Sequence, residues 1–386
     1  MKVWKRMLAL VLALLMITAA LVACKDDTEG EPNEGEKPDA QTPKAEEKEI
    51  DVYFIAGQSN ASGFSKITDA EKLKADYPAL QSGTAPYIIY AGNPNGNSGD
   101  NPQNKDWGDV KLGFGGNSSN MGPEVGMAKA LSAYYNAESG KHAAIIKYAN
   151  GGTGLCNTGG AGSNAQGDWT PPSYGKPTEG EDSTNYIGAL YRGLVAEAYN
   201  RISQLKKQGY TKINVKGLYW MQGCNDSWRY CETPTDTRSP LWYPNAFKCL
   251  VNDFRKDLTD IMQEVQGSAG GAMNLPFFIG TISPTYSLDI SSLGENAEDN
   301  GALLKVAQDR NNPFIAMQKR LVENNTNCYI VDNGAYQTID YVIENEGTPQ
   351  QKVKYTVAGT DHSHWSQDDC YEIGQNVGKL MLEKCT

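Results

Sequence analysis

The sequence predicts a three-layer α/β/α domain, of flavodoxin-like architecture, on a mainly parallel sheet. Three observations carry that expectation. Short apolar, β-rich runs at 52–56, 143–148, 215–221, 275–282 and 328–331 alternate with longer stretches of helical spacing. Most of these runs end in small polar or glycine-rich turns, the mark of strands that are buried and then stop. No repeat and no second linker interrupts the chain after Ile50, and 386 residues at 39% hydrophobic content suffice for one large core or two modest ones.

The first fifty residues stand apart. Lys2, Lys5 and Arg6 give a positive start, and 7–20 is an apolar run of signal-peptide length. An ordinary secretory signal or a retained anchor would fit such a run. The ending Leu21-Val22-Ala23-Cys24 resembles a bacterial lipoprotein signal over 1–24, which implies lipidation at Cys24 and an exported protein held at the outer face of the cell membrane. Residues 25–49 have too little apolar surface to repay ordering and read as a disordered acidic linker. The domain is then expected over 50–386. The net charge of −11 argues against nucleic acid and against an anionic membrane face, so the lipid is the expected membrane contact.

Beyond Cys24 the chain has seven cysteines, at 156, 224, 231, 249, 328, 370 and 385. Export permits disulfides, and an odd number leaves at least one without a partner in the domain. Cys224 with Cys231, or Cys370 with Cys385, would close short loops. No CxxC pair supports a zinc or redox site.

The first strand, 52–56, runs into Gly57-Gln58-Ser59-Asn60, a tight turn with a serine at its apex. Such a serine is either rigid and solvent-facing or part of a plain surface turn. Residues 64–120 are rich in Gly, Asn and Pro and read as an irregular functional rim, with a short strand at 88–90. A helix is expected over 124–135, a strand over 143–148, then the turn Asn150-Gly151-Gly152-Thr153-Gly154. A long helix over 187–206 precedes the strand 215–221, which stops at Gln222-Gly223. Residues 224–244 read as a loop rich in Trp, Tyr and Pro. Helices over 246–265 and 302–311, strands 275–282 and 328–331, and a closing helix over 373–382 complete the pattern. In an open α/β sheet the C-terminal strand edge carries the site, so Ser59, Gly151-Gly152 and Gln222 are expected on one rim.

A serine needs a base, and imidazole is the natural one near neutral pH. The chain has three histidines. His142 precedes a strand and reads as a surface residue. His362 and His364 both lie in Asp361-His362-Ser363-His364, and either is a candidate. Asp361 and His364 are three residues apart, within reach across a turn. The same cluster also admits a metal reading of Asp361, His362 and His364, although no other histidine-rich segment completes it.

GQSN, NGGTG, WMQGCND and DHSH, in this order, resemble the SGNH-hydrolase superfamily. More narrowly they resemble the carbohydrate acetylesterases of the sialate O-acetylesterase and acetyl xylan esterase type. The resemblance spans about 50–382. It implies a serine esterase with Ser59 as nucleophile, His364 as base and Asp361 as its orienting acid, and so favours His364 over His362. It implies an oxyanion hole of the Ser59 N–H, a backbone N–H at Gly151 or Gly152, and the Gln222 side chain. Gln58 and Asn60 would brace the turn, with Asp226 in support. No cofactor is implied. One departure stands out: the family usually has Gln-Gly-Glu where this chain has Gln222-Gly223-Cys224, although Asp226 keeps its place. A bridge to Cys231, or a thiol nucleophile, are the alternatives for Cys224.

Aromatic residues crowd the expected rim. Trp169, Trp228 and Trp365 are candidate sugar platforms, or else close local loop cores, and Trp220 sits in a strand. The implied substrate is an acetylated polysaccharide or oligosaccharide, with acetylated xylan or another plant polysaccharide first and O-acetylated sialic acid second. A surface carbohydrate-binding protein without catalysis is the alternative of a different class.

Overall fold

The computed structural model describes residues 47–82, 87–92, 107–155, 168–174, 187–232, 242–359 and 361–386. The expected signal, Cys24, all of the linker before residue 47 and Cys156 lie outside the described residues. Residues 47–386 make one compact unit.

The strands are β1 Glu49–Gly57, β2 Ser65–Lys66, β3 Ile88–Ala91, β4 Gly108–Asp109, β5 Asn120–Met121, β6 Ala143–Ala149, β7 Lys212–Met221, β8 Phe277–Gly280, β9 Glu298–Asp299, β10 Cys328–Val331, β11 Ile339–Glu344 and β12 Lys352–Val357. The helices are α1 Ser59–Ser62, α2 Ala70–Asp76, α3 Ala79–Ser82, α4 Glu124–Leu131, α5 Ala189–Lys207, α6 Cys224–Glu232, α7 Trp242–Gln266, α8 Ala302–Arg320 and α9 Gln367–Cys385.

Among the described residues, seven strands form the main sheet in the order β10-β8-β7-β1-β6-β3-β4. All neighbours are parallel except β3 and β4. β1 sits at the centre and is buried from Ile50 to Gly57, and from Val52 to Ala56 it reads as a continuous apolar run. Adjacent residues of a strand face opposite sides. Tyr53 meets Tyr135, just past α4, while Phe54 meets Phe254 of α7. Helices α4 and α9 pack together on the first side, and α5 with α7 on the second. This is the α/β architecture expected from the alternation.

The register fixes where the chain turns. Gly57 pairs with Ala149 of β6 and with Met221 of β7, so three strand ends lie level. The turns that follow them, at 58–59, 150–154 and 222–223, therefore meet at one edge. Gly57 has φ of 136°, and a Cβ there would lie 2.1 Å from the Met221 carbonyl oxygen. Only glycine fits this close approach.

Several elements differ from expectation. Residues 224–232 are helix α6, not loop. Its first N–H groups are met by a distant side chain, Gln58, which local sequence does not display. Helix α8 continues through Pro313 to Arg320, because Phe314, Ile315 and Met317 keep the apolar face buried. The 64–120 region contains α2 and α3. The hairpin β11–β12, with β9 alongside, covers a second small core of Leu288, Leu304, Ala307, Ile339, Val353 and Tyr355. The alternating runs IDYVIE and KVKYTV carry its signal.

The cysteine pairings are also corrected. Cys224, Cys249, Cys328, Cys370 and Cys385 are free. Cys224 and Cys231 lie seven residues apart on α6, a rise of about 10 Å. Cys370 and Cys385 lie fifteen apart on α9, a rise of about 22 Å. Both separations exceed what a disulfide spans.

Candidate active site

The serine turn is held from beneath. Gln58 N donates to Met221 O at 2.9 Å. Gln58 Oε1 accepts from Gly223 N at 3.1 Å, Gln222 Nε2 at 3.4 Å and Asn225 N at 3.5 Å. Gln58 is thus a buried brace tying the end of β1 to the start of α6. Lys147 of β6 supplies the second support. Its Nζ donates to Ser62 O and Phe114 O, each at 2.8 Å, and lies 3.0 Å from the Glu124 carboxylate. Both charged side chains are fully buried. A buried ammonium is tolerable only when paired and hydrogen-bonded, as here. Ser62 O belongs to the last turn of α1, so the lysine fixes the helix that Ser59 opens.

The histidine turn comes from the loop before α9. Asp361 Oδ1 accepts from Ser363 N at 2.7 Å and His364 N at 3.1 Å, which curls the turn. The same carboxylate faces His364 Nδ1, with the two oxygens at 3.0 and 2.9 Å. Burial opposes the Asp361 charge. The hydrogen bond and charge of His364, the Ser363 N–H and the nearby His362 outweigh it, and its pKa falls below the usual aspartate value. Of the two candidate histidines, His364 is the one paired with Asp361. His362 is exposed, and its backbone carbonyl accepts from Ser287 N. His142 is half-buried, its ring packed against Tyr87 and Tyr210. Among the described residues, no three His, Cys, Asp or Glu side chains are grouped to hold a metal ion.

The two turns meet at Asn60, whose Nδ2 donates to Ser363 O at 3.4 Å. Among the described residues, Ser59 Oγ makes no hydrogen bond to His362 or His364. In ligand-free sites such bonds are often long and tighten when substrate arrives.

The oxyanion donors differ from expectation at Gln222. Its side chain is fully buried. Nε2 donates to Thr153 O at 3.1 Å and to the Asp226 carboxylate, with Gln58 Oε1 at 3.4 Å as a third acceptor. Its Oε1 accepts from Tyr243 O–H at 2.9 Å. Two N–H groups face three acceptors, and none is left for an oxyanion. Gln222 is a brace between the strand ends. Asp226 extends it by accepting from Leu155 N at 3.2 Å, which secures the glycine turn. Gly151 is buried and Gly152 is exposed at that turn.

Asn225 is a residue the sequence reading missed. It lies in the first turn of α6 and is partly exposed. Its Oδ1 accepts from Tyr286 O–H at 3.5 Å, and among the described residues its Nδ2 has no hydrogen-bond partner. A polar amide four residues past a strand end, before an acid that ties down the glycine turn, was the available signal.

Cys224 is fully buried, and burial pushes its thiol up to about 12 despite the neighbouring Asn60 side chain. A protonated, inaccessible thiol is no nucleophile. Two of the three candidate platforms are core residues. Trp169 is 0% exposed, with Nε1 donating to Thr153 Oγ1 and its ring against Trp220 and Tyr148. Trp365 is 1% exposed, with Nε1 donating to Tyr336 O. Each indole has an internal acceptor, which lets it be buried. Trp228 is 38% exposed, and the Arg310 guanidinium stacks on its ring at 3.7 Å. Trp220 is core, as its strand position suggested.

Comparison with known proteins now adds to this geometry. The family model described as "Carbohydrate esterase, sialic acid-specific acetylesterase" matches residues 49–272, more than half of the chain. No curated protein matches. Among solved structures, the chain is similar to NanS, at 17% identity and a TM-score of 0.47, over 87% of this chain and 98% of that one. It is similar to a protein from Arabidopsis thaliana, at 14% identity and a TM-score of 0.46, over 87% and 99%. It is also similar to a carbohydrate acetylesterase from Xanthomonas citri, at 14% identity and a TM-score of 0.40, over 85% of this chain and 55% of that one. By the extent of the family match, which runs from β1 to beyond α7, the chain belongs to the sialic acid-specific acetylesterase family of carbohydrate esterases.

Proposed function

We propose that the chain removes O-acetyl groups from carbohydrates by a serine mechanism, with Ser59 as nucleophile, His364 as base and Asp361 as its orienting acid. The observation that carries this reading is the Asp361–His364 pair on a turn whose Ser363 carbonyl accepts from the side chain of Asn60, the residue beside Ser59. Ser59 Oγ attacks the acetyl carbonyl and its proton passes to His364 Nε2. Asp361 holds the Nδ1 proton and stabilises the imidazolium. The imidazolium returns the proton to the departing sugar hydroxyl. Water then releases acetate from the acyl-enzyme by the same route. The Ser59 N–H, at the first turn of α1, has no intrahelical acceptor and is the first oxyanion donor. The turn at Gly152 and the Asn225 amide are the others.

The sugar has two readings. The family description favours O-acetylated sialic acid. The exposed indole of Trp228 favours a flat pyranose face, as in acetylated xylan or another plant polysaccharide. A lipid at Cys24, as the N-terminal sequence suggests, would hold the domain outside the cell beside such a polymer. Acetate release from acetylated xylan and from O-acetylated sialic acid, measured side by side on the domain from residue 25 onward, separates them. Release from the sialic acid alone rejects the polysaccharide, and release from xylan alone rejects the sialate. Silence on both, and on a small aryl acetate, would reject the esterase and favour a non-catalytic sugar-binding protein.

A further inference from the structure

Among the described residues, the His364 imidazole is hydrogen-bonded at one edge, by Asp361. A ring held at Nδ1 can still rock about that hydrogen bond, and its Nε2 would swing with it. The Phe64 ring lies stacked on the imidazole, with centroids 5.0 Å apart and planes 20° apart. The place of Phe64 is itself fixed. A Cβ on Gly116 would come 2.6 Å from Phe64 Cζ, so the ring tip lies directly against that backbone. Gly116 N donates to Gly63 O at 2.6 Å. Lys147 Nζ binds Ser62 O and Phe114 O, which flank this contact on the two segments. One buried lysine thus supports both the serine helix and the wall behind the histidine.

We infer that Phe64 is a positioning residue for the base: backed by Gly116, its ring sets the plane of the His364 imidazole and faces the imidazolium formed during proton transfer. An aromatic face attracts a cation, so the contact strengthens when His364 is charged. The role rests on the reading of His364 as base, and the experiment keeps the two apart.

Hydrolysis of a small aryl acetate is measured for the native domain and for Phe64→Leu, Phe64→Tyr, Gly116→Ala and His364→Ala, with thermal melting of each. A misplaced base acts on kcat rather than on substrate binding. Phe64→Leu is expected to lower kcat roughly tenfold with KM within about twofold of native. Phe64→Tyr adds a hydroxyl at Cζ, where the ring already meets Gly116, and should push the ring and lower kcat as Gly116→Ala does. Gly116→Ala keeps the ring but pushes it, and should reproduce the Phe64→Leu loss even where that variant folds poorly. Phe64→Leu combined with Gly116→Ala, measured in the same way, should be no worse than Phe64→Leu alone, because the two act through one contact. Native kcat in Phe64→Leu, beside an inactive His364→Ala, would overturn the positioning role alone. Native kcat in folded Gly116→Ala and Phe64→Tyr would also overturn it. A fully active His364→Ala would overturn the base, and the role of Phe64 with it.

Discussion

His364 Nδ1 lies 2.9 Å from one Asp361 carboxylate oxygen and 3.0 Å from the other. The carboxylate fixes which imidazole nitrogen carries the proton, and so leaves Nε2 free to take one. Asp361→Asn keeps the shape but presents an amide. Its kcat should fall on the order of 10⁴-fold in a variant that still folds, as read from steady-state kinetics with thermal unfolding as the folding control. His362→Ala should leave kcat within about twofold of native, since its side chain lies outside the pair.

The same pair makes stability depend on pH. The Asp361 pKa is lowered in the folded chain, against about 3.9 for a free aspartate. A lowered folded pKa adds stability above the unfolded value, and that contribution is lost as pH falls through the folded pKa. The melting difference between the native domain and Asp361→Asn should be flat above about pH 5 and shrink below about pH 4. A difference that grew on acidification would contradict the pairing.

Asn225 carries a separate prediction. Its Nδ2 is the partly exposed amide beside the serine turn, whereas the Gln222 amide is spent on Thr153 and Asp226. Asn225→Ala should lower kcat by about 10²–10³ with native melting. Gln222→Ala should instead lower the melting temperature, because it strips the brace from three strand ends. The reverse pattern would restore Gln222 as the donor.

Lys147 and Glu124 test the support beneath the site. Lys147→Met leaves a buried carboxylate unpaired and should cost about 3–5 kcal/mol in chemical denaturation. Adding Glu124→Gln should recover part of that loss, since the second charge is gone. Additive losses in the double variant would show that the pair is not coupled.

The sequence shows the frame because strands buried on both faces read as apolar runs, as 52–56 and 143–146 do. It shows the site edge because polar turns follow strand ends, and the level ends of β1, β6 and β7 bring those turns together. What it hides is tertiary. Helix α6 starts on acceptors supplied by Gln58, more than 160 residues away in the chain. Gln222 looks like an open donor until Asp226 and Thr153 close around it. Trp169 and Trp365 look like rim aromatics, yet their indole N–H groups find acceptors inside the fold. Cys224 and Cys231 suggest a bridge only while 224–232 is taken for a loop. Partners brought together by the fold, among them Gln58, Thr153 and the Tyr336 carbonyl, decided each of these, apart from the last, which the helix geometry decides.

The central claim is that Ser59 is the nucleophile of a carbohydrate acetylesterase. Acetate release from an acetylated carbohydrate by the native domain beside Ser59→Ala tests it most directly. The expected result is release by the native protein, a loss of at least about 10⁴-fold in the variant, and equal melting of the two. Undiminished release by a folded Ser59→Ala would contradict the claim.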